Sequence, residues 1–118
     1  MKQQEGERAM RIEDWRTRIN EVDQQLVRLL NVRAQIAIEI GRSKSEAGME
    51  IHDPARECEV LARALHGNPG VLSEEAVEHL FREIVRESRE AAQQAVASRV
   101  QSGAAESLGT ETSGGAES

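Results

Sequence analysis

The sequence predicts an all-α protein of three helices in the order long, short, long. The chain has 118 residues, which favours a single domain. Its two aromatic residues are Trp15 and Phe81, and it has no Tyr, whereas large sheets are usually rich in aromatic and β-branched side chains. Apolar residues at spacings of three and four also recur through most of the chain, which is the period of amphipathic helices.

The first long helix is predicted over Arg11 to Lys44. Its apolar residues form a heptad seam, the pattern of a helix that packs along other helices: Ile12, Trp15, Ile19, Val22, Leu26, Leu29, Ile36 and Ile40. About 34 residues span roughly 50 Å. A compact monomer of this size has a radius of gyration of only about 13–14 Å. We therefore expect this helix to pack against another chain.

Start and stop signals delimit the two later helices. Asp53 is a good N-cap and the proline after it suits a first helical position, so the short helix begins there and ends near Gly67. Ser73 and the acids that follow it open the last helix, which is expected to fade near Arg99.

Three segments follow from this pattern. Residues 1–10 are charged and aperiodic and are predicted to be a flexible leader. Residues 11–97 form the folded helical domain. Residues 98–118 are rich in Gly, Ser, Ala and Glu and bury too little apolar surface to order themselves, so we expect a disordered tail.

Composition excludes several classes of function. The net charge of −6 disfavours nucleic-acid binding. The single cysteine, Cys58, excludes an intrachain disulfide and a cysteine metal cluster. No apolar run approaches the roughly 20 residues of a membrane span, and the N-terminus lacks the apolar core of a signal peptide. We expect no membrane association and a cytoplasmic protein.

One cation interrupts the apolar seam of the first helix. The heptad pattern requires an apolar residue at position 33, but the sequence has Arg33. Burial of this charge is costly unless an anion meets it, and no carboxylate lies one turn away on that face. Lys44 lies about three turns later on nearly the same face, roughly 16 Å along the axis. The two side chains could together hold one small dianion. An arginine in a seam is about as often a register device or a structural ion pair.

Five other polar residues also stand out along the predicted helices: Arg16, Asp53, Arg56, Glu57 and Ser88. Taken singly, each has a structural interpretation. Arg16 and Lys44 could be solvated charges, and Arg56 with Glu57 could be surface charges at a helix start. Ser88 could hydrogen-bond its own helix, and Asp53 is first of all a helix cap.

Together, these polar residues form a more specific pattern than any of them does alone. On a long-short-long helical plan it resembles the all-helical class of chorismate mutases over about residues 11–93. The matching stretches are WRTRINEVDQQLVRLLNVRAQIAIEIGRSK, HDPARE and LFREIVRESRE.

The resemblance implies an intertwined homodimer with two active sites shared between chains. It implies the Claisen rearrangement of chorismate to prephenate, on the route to phenylalanine and tyrosine, with no cofactor or metal. Arg33 would bind the side-chain carboxylate, and Lys44 would contact that carboxylate and the ether oxygen. Arg33, Lys44 and Glu57 are the expected catalytic residues.

The resemblance also assigns the remaining binding residues. Arg16 would come from the partner chain and hold the ring carboxylate region with Ser88. Asp53 and Glu57 would meet the ring hydroxyl, and Arg56 would line the pocket.

Two physical observations agree with this assignment. Arg16 and Arg33 are 17 positions apart on one helix, or about 25 Å. One small ligand can therefore contact both arginines only if they come from two chains that cross antiparallel. The sequence also shows no nucleophile–base pair and no phosphate loop, and a unimolecular rearrangement needs neither. It needs a flexible dianion held in its reactive conformer, with cations near the ether oxygen.

One position departs from the family pattern. A Gln or Glu usually lies one turn after the serine, where this chain has Ala92. Gln93 is the next residue, about 100° around the helix. Either Gln93 reaches the site through a local helix adjustment or the donor is absent. We therefore expect weak activity alone, or a missing contact supplied by a partner enzyme of the same pathway.

Two other functions remain open from the sequence. An isochorismate-pyruvate lyase has a similar fold and binds a similar dianion. A regulatory or dimerisation module that has lost catalysis would also keep the helical plan, and Ala92 leaves room for that alternative.

Overall fold

The computed structural model describes the backbone of residues 10–113 and the side chains of residues 10–99. It contains three helices: α1 (Ile12–Glu46), α2 (Pro54–His66) and α3 (Glu74–Ser113). No strand occurs within these residues. The all-α, long-short-long prediction is confirmed. The predicted leader lies outside the described residues except for Met10.

Local hydrogen bonds explain where the helices begin and end. The Asp53 side chain accepts a 3.1 Å bond from the Arg56 amide, which caps α2. The Gly67 amide donates to backbone oxygens in the last turn of α2. At the start of α3, the Ser73 hydroxyl accepts a 3.0 Å bond from the Ala76 amide. These caps are the ones that the sequence predicts.

A glycine turn ends α1. The Met49 amide donates to the Lys44 carbonyl at 2.8 Å, and Gly48 has a φ of 73°. A six-to-one bond closed by a left-handed glycine is a common helix stop, because glycine adopts this backbone conformation without steric cost. The turn directs the chain from Lys44 towards Asp53 at the start of α2.

The α3 helix is longer than the sequence prediction. We expected it to fade near Arg99, but it continues to Ser113. The segment after Arg99 contains several Ala and Glu residues and no proline, so nothing in it forces a helix to stop. The side chains after Arg99 and all of residues 114–118 lie outside the described residues. The disorder expected for residues 98–118 therefore stays a prediction.

The chain divides into two compact units, residues 1–32 and 33–118. In the described part of the first unit, one side of α1 carries the apolar seam, and its members are well exposed: Ile12, Trp15, Ile19, Val22, Leu26 and Leu29. Trp15, for example, is 52% exposed. Among residues 10–32, nothing packs over this face.

The second unit has a small core on α3. Among the side chains that the structure describes, the buried apolar residues of this core are Val77, Val85 and Ala92, and Ser88 is also buried on the same helix. Helix α2 packs against α3. In the described residues, no helix has both the length and the apolar character that a membrane crossing requires.

Gly41 sets the distance between α1 and α3 in the second unit. It is the buried residue of α1, and a Cβ atom built on it would lie 3.1 Å from the Cβ of Ala92. Two very small residues face each other here, so the helices approach more closely than larger side chains would permit. This contact forms part of the wall of the site described next.

Candidate active site

An open groove of about 300 Å³ lies within the unit of residues 33–118. Its apolar lining comes from all three helices and the α1–α2 loop: Ile36, Ala37, Ile40, Gly41, Ile51, Val60, Val85 and Ala92. Its polar lining consists of seven side chains: Arg33, Lys44, Asp53, Arg56, Glu57, Ser88 and Arg89. The groove is therefore apolar over much of its surface, with charged groups placed around it.

The structure brings most of the predicted site residues together. Six of the predicted binding residues line this one groove, along with Ala92: Arg33, Lys44, Asp53, Arg56, Glu57 and Ser88. Arg16 belongs to the other unit and is not among the lining residues. Gln93 is not among them either. The roles of these residues stay predictions.

Arg33 is half-buried in the groove wall. Among the described residues, no carboxylate lies within 4 Å of its guanidinium, so it has no structural ion pair there. A partly desolvated cation without a counter-charge is unfavourable. Arg33 is thus the position at which an anionic ligand would gain most.

Lys44 and Asp53 meet across the α1–α2 turn. The Lys44 Nζ lies 3.6 Å from Oδ2 of Asp53, and the lysine side chain is only 20% exposed. The hydrogen bond from the Arg56 amide is the main cause that lowers the pKa of Asp53, and the Lys44 ammonium lowers this pKa further, against partial desolvation. Asp53 therefore serves both as the α2 cap and as an anchor that orients Lys44.

Glu57 is held by a residue that the sequence reasoning missed. Nη1 of Arg89 donates to both carboxylate oxygens of Glu57, at 2.8 and 2.7 Å. The side chains are 22% and 25% exposed, and Nε2 of His52 lies 3.7 Å from the same carboxylate. Arg89 follows Val85 by four positions and precedes Ala92 by three, so helical spacing could have placed it on this face. Its partner is 32 residues away, and spacing gives no signal for that.

Arg56 and Ser88 differ in their surroundings. The Arg56 guanidinium is about half-exposed and pairs with Glu59 at 3.2 Å, so part of its charge is engaged at the groove rim. Ser88 is 5% exposed. Within the described residues its hydroxyl makes no bond to its own helix like the one from Thr17 to the Glu13 carbonyl. Its hydrogen-bonding capacity is therefore available to the groove.

The structure places no amide donor at the position where the family pattern expects one. Ala92 is 1% exposed and lies against Gly41. Gln93 is exposed and borders a separate depression near His52 and Met49. Position 92 therefore belongs to the lining of the groove, whereas position 93 lies outside it.

The lining side chains carry a net positive charge. Four cations, Arg33, Lys44, Arg56 and Arg89, are present against the carboxylates of Asp53 and Glu57. The whole chain, by contrast, carries −6. A locally positive groove in an acidic protein favours a small anion over a neutral molecule. Among the described residues, His, Cys, Asp and Glu form no group of three that could hold a metal ion.

A comparison with models of known protein families assigns the chain to a family. The family model for chorismate mutase type II matches residues 15–93, about two thirds of the chain. The matched region contains the whole groove. The chain therefore belongs to the chorismate mutase type II family.

Individual relatives agree with this assignment. The chain is 40% identical over 78 residues to the bifunctional chorismate mutase/prephenate dehydratase of Aquifex aeolicus, covering 63% of this chain and 22% of that protein. It is 42% identical over 72 residues to the protein of the same name from Neisseria gonorrhoeae, covering 61% and 19%. The T-protein of Haemophilus influenzae is 31% identical over 78 residues, covering 65% and 21%. The chain thus spans about a fifth of the length of these curated relatives.

Two solved structures of chorismate mutase from Thermus thermophilus match the fold. Form I has a TM-score of 0.64 and 38% identity, covering 65% of this chain and 96% of that one. Form II has a TM-score of 0.68 and 35% identity, covering 70% and 93%. Almost the whole of each Thermus chain therefore corresponds to the helical domain described above.

The Asp53–Lys44 pair predicts a pH dependence. Asp53→Asn keeps a good helix cap but removes the charge. Because the folded-state pKa of Asp53 is lowered, its charge contributes stability at pH values above its ordinary pKa and loses that contribution as the pH falls through the lowered value. Thermal unfolding from pH 7 to pH 2 should show the wild type melting higher than the variant at neutral pH, with the two converging in acid. A constant difference across this range would contradict the ionic contribution.

Proposed function

We propose that this chain catalyses the rearrangement of chorismate to prephenate. The observation that carries the proposal is Arg33, a half-buried cation with no carboxylate within 4 Å among the described residues, set with Lys44 in an apolar groove. Chorismate carries two carboxylates, so it suits a groove with a net positive charge. Membership of the chorismate mutase type II family supports the same reaction.

The proposed reaction needs no covalent intermediate. In one concerted step the ether C–O bond breaks while a new C–C bond forms within the same molecule. The flexible enolpyruvyl side chain must first fold over the ring. Arg33 would grip the carboxylate of that side chain and hold the compact conformer, which removes most of the entropic cost of reaching the transition state.

Lys44 would act where charge develops. As the C–O bond lengthens, negative charge grows on the ether oxygen, and an ammonium placed beside it stabilises the transition state more than the ground state. Asp53, 3.6 Å from the Lys44 Nζ, would keep the ammonium directed into the groove. The apolar lining would strengthen this interaction by excluding water.

The other lining groups would orient the ring. Glu57, which lines the groove, would accept a hydrogen bond from the ring hydroxyl, and Asp53 lies one turn earlier as the cap of α2. Ser88 would bind near the ring carboxylate. Arg56, engaged with Glu59 at the rim, would contribute to the electropositive entrance.

We also propose that the active form is a homodimer whose sites are shared. The support comes from the exposed apolar seam of α1, whose members such as Ile19 and Leu26 are 59% and 51% exposed. A seam of this length is costly to leave in water, and a second copy offers a complementary seam. Arg16, which does not line the groove of its own chain, would then reach the groove of its partner.

A partner enzyme of the same pathway belongs to the proposal as well. Two of the relatives are named bifunctional chorismate mutase/prephenate dehydratase. Their names join this reaction to one that consumes its product. We infer that the prephenate formed here passes to such an enzyme.

The direct test follows loss of chorismate by absorbance with the purified protein. We expect turnover by the wild type and a loss of at least about 100-fold in kcat/KM for Arg33→Ala, because a desolvated ligand contact is removed. Arg28→Ala is the matched control, since Arg28 is an exposed arginine of the same helix that bonds only Gln25 among the described residues. Its activity should be unchanged.

The same experiment separates the rival functions. Consumption of isochorismate with release of pyruvate, and no turnover of chorismate, would identify a lyase. If neither compound is turned over and a bicyclic dicarboxylate mimic of the transition state does not raise the Tm, the protein is a non-catalytic module.

A mixing experiment tests the shared site. Arg16→Ala and Arg33→Ala should each be inactive, but after subunit exchange each heterodimer would hold one intact site. Random exchange makes half of the dimers heterodimers, so about a quarter of the wild-type activity should return. Native mass spectrometry of tagged chains would confirm exchange. Well-exchanged mixtures that stay inactive would exclude a site built from two chains.

Restoring the amide donor tests the meaning of Ala92. Ala92→Gln should raise kcat by about 10- to 100-fold, because it adds a donor near the developing charge. Gln93→Ala is the control and should leave kcat unchanged, since Gln93 borders a different depression. The Tm of each variant is measured to detect any loss of stability from the close contact between position 92 and Gly41. A folded Ala92→Gln variant with wild-type kcat would show that the site does not lack this donor.

A further inference from the structure

The Arg89–Glu57 pair differs from the other arginine ion pairs of α3. Arg82 and Arg86 pair with glutamates within one turn of their own helix, on the exposed surface. Arg89 instead reaches from α3 to α2, binds both oxygens of Glu57, and is less than a quarter exposed. Both partners line the groove. The interaction therefore joins two walls of the site.

We propose that Arg89 is a positioning residue for Glu57 and also balances its charge, so that a dianion can bind beside that carboxylate. This inference rests on the proposed function, because it assigns Glu57 to the substrate. Without Arg89, the groove would lose one of its four cations and leave a poorly paired carboxylate facing a doubly negative ligand. Like charges at short range in a partly dry site repel strongly.

The geometry explains how one arginine can serve both purposes. Only Nη1 of Arg89 bonds Glu57, and it bridges the two oxygens. Each oxygen keeps a lone-pair direction with which it can accept a further hydrogen bond, such as one from a hydroxyl. The carboxylate is thereby immobilised without being saturated.

The neighbouring charges do not replace Arg89. His52 lies 3.7 Å from Oε1 of Glu57, but its imidazole is a cation only when protonated, whereas a guanidinium stays charged. The Lys44 ammonium is engaged with Asp53, and the Arg56 guanidinium with Glu59. Among the described residues, Arg89 is thus the permanent cation directed at Glu57.

Four variants test this role: Arg89→Met, Arg89→Lys, Glu57→Gln and the double variant Arg89→Met/Glu57→Gln. Arg86→Met is the control, because Arg86 lies one turn earlier and bonds only surface glutamates among the described residues. The measurements are kcat and KM for chorismate, Tm, and the rise in Tm caused by the bicyclic dicarboxylate mimic.

For Arg89→Met we expect KM to rise at least about tenfold, with a smaller change in kcat, because charge repulsion weakens binding. Arg89→Lys should recover part of the loss, since it restores charge without the planar geometry. The double variant should bind better than Arg89→Met and approach Glu57→Gln, because the unpaired carboxylate is gone. Arg86→Met should match the wild type.

Two results would overturn the proposal. One is a folded Arg89→Met variant with wild-type KM. The other is a double variant whose losses simply add, because independent effects would mean that the two residues are not coupled. If Arg89→Met does not fold, Arg89→Lys and the double variant decide the question, since neither leaves an unpaired carboxylate.

If the proposed function is wrong, the experiment gives a result that differs from both of these. In that case the wild type itself does not turn over chorismate. The same variants are then compared by the Tm shift with the dicarboxylate. Loss of that shift in Arg89→Met and its recovery in the double variant support the positioning role, while equal shifts in all variants overturn it.

Discussion

The constraint on which the site depends is the placement of cations in an apolar groove. Arg33 and Lys44 are inserted among Ile36, Ile40 and other aliphatic side chains of α1. Each would be more stable in water, so the fold must hold them by other means. Lys44 is held by Asp53, which is itself fixed as the cap of α2. Arg33 has no such support among the described residues, and a ligand carboxylate is the natural counter-charge for it.

Much of this arrangement was predictable because it is local. Helix period and the caps at Asp53 and Ser73 are encoded within a few residues, and both are seen in the structure. Arg33 was recognisable because it breaks the heptad pattern of its own helix. The grouping of Lys44, Glu57 and Ser88 around one groove was reached only through the resemblance to a family, since their spacing alone does not bring them together.

The features that the sequence did not predict also have physical reasons. The bond between Arg89 and Glu57 joins residues 32 positions apart on two helices, and no periodic signal reports such a contact. The predicted end of α3 near Arg99 is too early because the prediction rested on the small apolar surface of the segment that follows, whereas the helix continues to Ser113. Helix propensity is a weak indicator where no cap or proline marks the boundary.

The first unit, in contrast, leaves its apolar residues exposed. In the described part of residues 1–32, α1 keeps its apolar seam in water, with Ile12 67% exposed. A single amphipathic helix gains little stability by itself, because most helical stability in proteins comes from burying the apolar face. The stability of this segment therefore depends on what covers it, and with a second copy it would depend on protein concentration.

The contact between Gly41 and Ala92 has a consequence for the shape of the groove. Where the Cβ positions of the two residues would lie 3.1 Å apart, the groove is bounded by helix backbone rather than by long side chains. A boundary of this kind cannot yield through a change of rotamer, because moving it requires a helix to shift. The wall of the groove at this contact is therefore rigid. Enlargement of the site by mutation would have to proceed through walls such as Val60 or Val85, whose side chains can be shortened.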